Sequence, residues 1–170
     1  MTQVFISIGS NIDPEWHIRA GVERLQQLFS VVSLSSVYES ESVGFRGDNF
    51  LNLVAKVETD SSVAELQKLF KQIEDDFGRV RDGIKCSARS LDLDLLLYGD
   101  KVNVANSESE PELPRAEITY NAFVLWPLAE LAPHLQHPVT GRSYAQMWQA
   151  YDKAQKLWPV EFNWHASVHA

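Results

Sequence analysis

The order in which the hydrophobic period changes along this chain limits its fold more than any single motif does. Residues 3–9, QVFISIG, set Val4, Ile6 and Ile8 on one side, the alternation of a half-buried strand. After the turn GSNID, Asp13 and Pro14 read as an N-cap and first helical residue. Ile18, Val22, Leu25 and Phe29 then form one stripe of a helix predicted over 14–29. Strands are predicted over 31–39 (VVSLSSVYE) and 50–59 (FLNLVAKVET), separated by the polar loop SESVGFRGD. A helix over 62–77, capped by Asp60 or Ser61, turns Val63, Leu66, Phe70, Ile73 and Phe77 inward. A loop over 78–89 leads into the strand SLDLDLLLYG. This β-α-β-β-α-β order predicts an α+β sandwich with a largely antiparallel sheet covered by helices. Beyond it come the acidic surface connection NSESEPELP, a short helix around Pro127, the turn HPVTGRS and a last helix near 143–152. Residues 1–152 read as a single domain. Residues 153–170 read as a tail of open role, without a period of its own and expected only to pack against the surface.

The bulk chemistry narrows the function classes. A net charge of −8 at pH 7 argues against a nucleic-acid partner, because phosphate-backbone binding needs a basic surface. No run approaches 18 apolar residues, so no membrane span is predicted, and the first residues lack the basic start of a secretion signal. Cys86 is the lone cysteine, which excludes an internal disulfide and fits a reducing cytoplasm. The five histidines show no zinc-ligand spacing with it. The expectation is a cytoplasmic monomer that engages neither nucleic acid nor membrane, with room for a small basic pocket that takes a small anion.

Residues 78–100, GRVRDGIKCSARSLDLDLLLYGD, gather the chemistry. In a strand, positions i and i+2 share a face, so Asp92 and Asp94 stand with Cα atoms roughly 6.5–7 Å apart on one side. Their repulsion is relieved by a shared divalent cation or by arginines, and oxygen ligands of this kind suit Mg²⁺. A polar strand face that merely meets solvent would also produce the pair, although aspartate is a poor strand former. Arg79, Arg81, Lys85 and Arg89 against Asp82 leave a local charge of +3 on a loop inside an acidic chain. These cations either pair with Glu74, Asp75 and Asp76 or grip phosphate oxygens, which the guanidinium fork matches. Carboxylates for a metal preceded by arginines for phosphate make a coherent phosphoryl-transfer set. A polymerase-type nucleotidyltransferase would keep its Gly-Ser turn near the Asp-x-Asp strand, but Gly9 and Ser10 lie more than eighty residues away. No GxxxxGKS/T sequence occurs, which removes a P-loop kinase.

The blocks IGSN at 8–11, FLNLV at 50–54, GRVR at 78–81, RSLDLDLLLYGD at 89–100 and FVLWPLAELAP at 123–133 resemble the 6-hydroxymethyl-7,8-dihydropterin pyrophosphokinase family of folate synthesis. The resemblance runs in order from residue 3 to about 150. It implies a ferredoxin-like α+β fold and transfer of pyrophosphate from ATP to the pterin hydroxymethyl group, releasing AMP. It also implies two Mg²⁺ ions on Asp92 and Asp94, with Asp94 orienting the attacking hydroxyl. Arg79 and Arg89 match the family's catalytic-loop arginines, while Arg81, Glu74, Lys71 and Arg115 fall on the ATP side. The pterin would lie between Phe50 and Phe123, its polar edge met by Asn52 and by backbone groups of Ser40 and Val43. From periodicity alone Phe50 and Phe123 read as core residues, and Trp126 and Leu128 are read as core only.

The chain departs from that family's pattern at clustered places. Cys86, Ser87 and Ala88 stand where Trp-Gly-Pro is usual, and Ser40, Glu41 and Ser42 replace a Thr-x-Pro. Arg115 stands in place of a histidine and Asn121 in place of an arginine. Two readings follow. One is an active pyrophosphokinase, resting on Arg79, Arg89, Asp92 and Asp94; the other is a paralogue that binds a pterin or nucleotide without this transfer. Beside Lys85 and Arg89, Cys86 reads as either a reactive thiol or a tolerated loop substitution.

Overall fold

The computed structural model describes residues 1–40, 49–78, 90–104, 107, 110–152 and 156–164. Their strands are β1 (Thr2–Ser10), β2 (Val32–Leu34), β3 (Val37–Ser40), β4 (Phe50–Thr59), β5 (Asp92–Tyr98) and β6 (Leu157–Val160). The helices are α1 (Pro14–Leu28), α2 (Val63–Asp76), α3 (Glu117–Tyr120), α4 (Ala122–Leu131) and α5 (Tyr144–Ala150). One sheet runs β5-β1-β4-β3-β6, with β2 on β4 beside β3, and every described pairing is antiparallel. The expected antiparallel α+β sandwich therefore forms.

Alternation within each strand divides the side chains between two layers. Val4, Ile6, Ile8, Leu53, Ala55, Leu93 and Leu95 face one side, where they join Ile18, Val22 and Leu25 of α1 and Leu66, Phe70 and Ile73 of α2. Phe5, Val54, Leu96 and Leu97 face the other side, against Leu125 and Leu128 of α4 and Tyr144 and Met147 of α5. The three consecutive leucines of β5 serve this division. A register shift opposite Phe5 and Ile6 puts Leu96 and Leu97 together under α4, while Leu95 remains on the α1–α2 side. At α1, a Cβ on Gly21 would lie 3.0 Å from the Leu91 methyls, so the glycine permits close packing of this helix.

Three elements differ from their sequence-based expectation. The strand over 31–39 is split, because three residues, Ser35 to Val37, pass two on β4. Ser35 holds the break by donating its N–H to Val54 O and accepting the Val54 N–H at Oγ, both at 2.9 Å. The second change is the cap of α2. Ser62 caps it instead of Asp60 or Ser61, in a reciprocal pair with Glu65: Glu65 N donates to Ser62 Oγ at 3.1 Å, and Ser62 N to Glu65 Oε1 at 2.8 Å. The third is the tail, which does more than pack on the surface. Leu157–Val160 pairs with β3 and, among the described residues, forms that edge of the sheet. A run with a central proline shows no alternation, which is why its strand was not legible.

The cap yields a direct expectation. Ser62→Ala should lower unfolding stability by about 1 kcal/mol in denaturant titration, with an unchanged m-value.

Candidate active site

The second sheet face is only partly covered by helices, and the uncovered part is where small and polar residues replace the apolar pattern. Ser7 and Gly9 on β1 lie between Val54 and Asn52 of β4 and Asp94 and Asp92 of β5. Directly opposed residues of antiparallel strands share a face. Asp92, Gly9 and Asn52 therefore form one rung, and Asp94, Ser7 and Val54 the next. A cavity of 280 Å³ sits over these rungs, closed at its sides by Phe50, Phe123, Val124 and Glu117.

Gly9 shapes this cavity. A Cβ there would come within 2.5 Å of Asn52 Oδ1, so the buried Asn52 amide occupies the space a side chain on β1 would take. The amide thus lies over β1, on the way to Asp92. Phe50 and Phe123, read from periodicity as core, are half-buried and both line the cavity. Leu128 is core as expected, whereas Trp126 stacks on Trp148 with ring centres 5.0 Å apart.

The carboxylates are held in a strained electrostatic setting. Burial pushes the Asp94 carboxyl up to about 7, and Asp92 adds to this, while Arg115 pulls the other way; Glu117 and Glu74 raise it further. Arg115 Nη2 stands 3.7 Å from Asp94 Oδ1, and its Nε donates to Leu95 O at 3.1 Å. The backbone contributes too, since Arg115 N donates to Leu96 O at 3.0 Å and fixes this segment along β5. Behind the strand, the buried Glu74 accepts the N–H of Leu93 at 2.8 Å, which ties α2 to the residue between the two aspartates.

Of the residues singled out from sequence, Asp92, Asp94, Asn52, Phe50 and Phe123 meet in the one cavity. Ser40 is paired with Phe50 at the end of β3 and does not line the cavity. Lys71 is half-buried, three positions before Glu74 on α2. Arg79, Arg81, Arg89 and Val43 lie outside the described residues, as do Cys86, Ser87 and Ala88. Asn121, where the resemblance implies an arginine, donates Nδ2 to Glu117 Oε2 at 3.1 Å. Glu117 and Ser7 were not singled out from sequence. A lone glutamate opening a short helix and a serine inside an apolar strand are weak signals; register brings Ser7 to Asp94, and the fold-back before α3 brings Glu117 to the same cavity.

The donor set suits a hard cation. Two cavity-facing carboxylates, one with a strongly raised proton affinity, form a site whose repulsion a divalent ion relieves, and Mg²⁺ commonly takes one or two carboxylates along with substrate phosphates. No cluster of three or more His, Cys, Asp or Glu side chains fit for a metal exists among the described residues.

A family model described as 7,8-dihydro-6-hydroxymethylpterin-pyrophosphokinase matches residues 5–133. A 2-amino-4-hydroxy-6-hydroxymethyldihydropteridine pyrophosphokinase of Aquifex aeolicus is 33% identical over 141 residues, covering 82% of this chain and 86% of the relative. One of the same name from Bacillus subtilis is 36% identical over 141 residues, covering 80% and 81%. Among solved structures, wild-type HPPK-DHPS of Plasmodium falciparum superposes with a TM-score of 0.66 at 11% identity, over 87% of this chain. This chain spans 44% of that larger one. At such identity the likeness is one of fold, the ferredoxin-like sandwich expected from the sequence.

The raised Asp94 proton affinity has a thermodynamic signature. The folded state holds the proton that the unfolded chain releases near the ordinary carboxylate value. The associated stability is therefore full at about pH 4 and is lost as pH rises through about 7. With 35% of the side chain exposed, screening leaves an effect of ~1–2 kcal/mol. Thermal melts without divalent ions should show Tm falling between pH 5 and pH 8, and Asp94→Asn should flatten that slope. An equal slope in the variant would assign the loss to other groups.

Proposed function

The chain belongs to the 7,8-dihydro-6-hydroxymethylpterin-pyrophosphokinase family, and on that premise we propose that its cavity transfers pyrophosphate from ATP to the hydroxymethyl group of 6-hydroxymethyl-7,8-dihydropterin in folate synthesis. The observation that carries this reading is the meeting of Asp92 and Asp94 with the Asn52 amide and the Phe50 and Phe123 rings in one cavity. The pterin hydroxyl attacks the β-phosphorus in line, the bond from that phosphorus to the α–β bridging oxygen breaks, and AMP leaves with that oxygen.

The division of labour follows from position. Asn52 would meet the polar edge of the pterin and Phe50 and Phe123 its faces, while backbone groups of Ser40 and Val43 are assigned to that edge by the resemblance alone. Asp94, which faces Arg115 at 3.7 Å, is the carboxylate that the resemblance assigns to orienting the attacking hydroxyl. Two Mg²⁺ ions held by Asp92 and Asp94 would neutralise charge on the phosphate oxygens. Arg115, anchored through Nε to the β5 backbone, brings Nη2 to 3.7 Å from Asp94 Oδ1 and would hold an ATP phosphate there. Arg79, Arg81, Arg89 and Lys71 are assigned to the triphosphate by the resemblance. Glu74 would act on the nucleotide side through the strand it supports. No helix among the described residues is long and apolar enough to cross a membrane. A cytoplasmic monomer working on small molecules, without nucleic acid or membrane, completes the proposal.

The test is AMP formation from ATP and Mg²⁺ with and without the pterin. Pterin-dependent AMP is expected, and Asp92→Ala should reduce it roughly 100-fold or more. A folded chain that binds pterin yet makes no AMP would leave a binding protein in its place. Gly9→Ala should raise the KM for pterin about tenfold with little change for ATP, because the added Cβ displaces the Asn52 amide from its seat.

A further inference from the structure

The cavity accounts for β1, β4 and β5, and leaves β6 without an occupation. This strand lies beyond residues 5–133, the span matched by the family model. Among the described residues it is the neighbour that covers the outer edge of β3. β3 is only four residues long and meets β4 through three pairs: Tyr38 with Asn52, Glu39 with Leu51 and Ser40 with Phe50. Two of those β4 partners, Asn52 and Phe50, line the cavity. β6 supplies the other side, with Leu157 opposite Ser40 and Pro159 opposite Tyr38.

The segment after β6 is fastened to α1. Arg19 Nη1 donates to Asn163 O at 3.0 Å, and the guanidinium stands 5.5 Å from the centre of the Phe162 ring. Phe162 and Trp164 pack against each other at 4.4 Å, and both rest with Val160 on the α1–α2 core. A hydrogen bond, a cation over a ring and three apolar contacts thus hold the segment at its far end, while backbone pairing holds its near end to β3.

We propose that residues 156–164 form a strap that positions the pterin side of the cavity, an inference that rests on the proposed function and deepens it. Glu130 anchors Tyr38 from the helix side, but the Ser40 end of β3 relies on strand pairing, and a strand flanked on one side opens more readily than one flanked on both. A ligand that needs β3 and β4 in register binds with an apparent affinity reduced by the fraction of time they are open. The carboxylates at Asp92 and Asp94 sit on β5, at the opposite edge of the sheet, so loosening the strap reaches the pterin side before the ATP side.

The experiment uses the full chain with Arg19→Ala and Phe162→Ala, neither of which touches the cavity. Steady-state kinetics should show the KM for pterin rising about tenfold, with the KM for ATP within about twofold of the parent. Arg19→Lys, which keeps a donor and a cation, should recover most of the loss. Variants that melt earlier but keep the parent's KM for pterin, or that raise both KM values equally, would overturn the strap and leave an ordinary stabilising contact. Pterin titrations followed by ligand fluorescence separate this from the reaction itself. A parent chain that binds pterin but releases no AMP overturns the proposed function alone, and the strap is then judged on the binding constants. A parent chain that binds no pterin overturns both.

Discussion

The approach of the Asn52 amide to the Gly9 backbone, inside 3 Å of where a Cβ would be, sets the geometry on which the rest of the site depends. Neighbouring strands lie roughly 4.8 Å apart, so Asp92 and Asn52, two strands from one another, are separated by about 10 Å along a rung whose middle position carries no side chain. The same rung continues through Tyr38 to Pro159. Tyr38 is itself fixed by Glu130, which accepts its hydroxyl at 2.6 Å and also accepts Ser36 Oγ at 2.8 Å. One row of residues therefore joins the metal-binding candidate to the sheet's far edge.

A complete layer on one face makes the partial layer on the other possible. The α1–α2 side buries a continuous set of aliphatic residues, and this gives the sheet enough apolar burial to leave part of its second face open. On that face α3 and α4 reach the cavity only with Glu117, Phe123 and Val124, and the carboxylates occupy the ground between. Their partial burial carries an electrostatic cost: Asp94 holds its proton more tightly than a solvated carboxyl would. Glu74 and Arg115 then act as braces, one holding the strand's backbone from the α2 side and the other facing the Asp94 carboxylate at 3.7 Å. A partly buried carboxylate with its proton affinity raised in this way is typical of functional sites.

Much of this was legible in the sequence because it rests on local period. The alternation of LDLDL alone puts Asp92 and Asp94 on one face, and the stripes of α1 and α2 name the core side chains they bury. What stayed hidden depends on pairing between distant segments. A pair of serines does not announce a bulge, yet Ser35 breaks one strand into two and returns Tyr38 to the cavity face. The closeness of Glu117 and Arg115 to Asp94 comes from a connection that folds back along β5, for which no periodicity exists. Ser62 captured the cap from Asp60 and Ser61 because it stands three positions before Glu65, and the reciprocal bond decides among neighbouring candidates. β6 was missed for the simplest reason: four residues with a proline among them carry too little pattern to score.

That proline also bears on how the molecule behaves in company. An open sheet edge presents unused backbone groups that can recruit a strand from another molecule, the first step toward clumping in a crowded solution. Among the described residues the strand outside β3 is four residues long, contains Pro159, which has no N–H to donate, and runs into Glu161, whose charge resists burial. β3, one strand in, has neither safeguard within Val37–Ser40 beyond the single Glu39. By ending the sheet on Leu157–Val160, the chain exchanges an edge that would welcome a stranger for one that offers it little to grip.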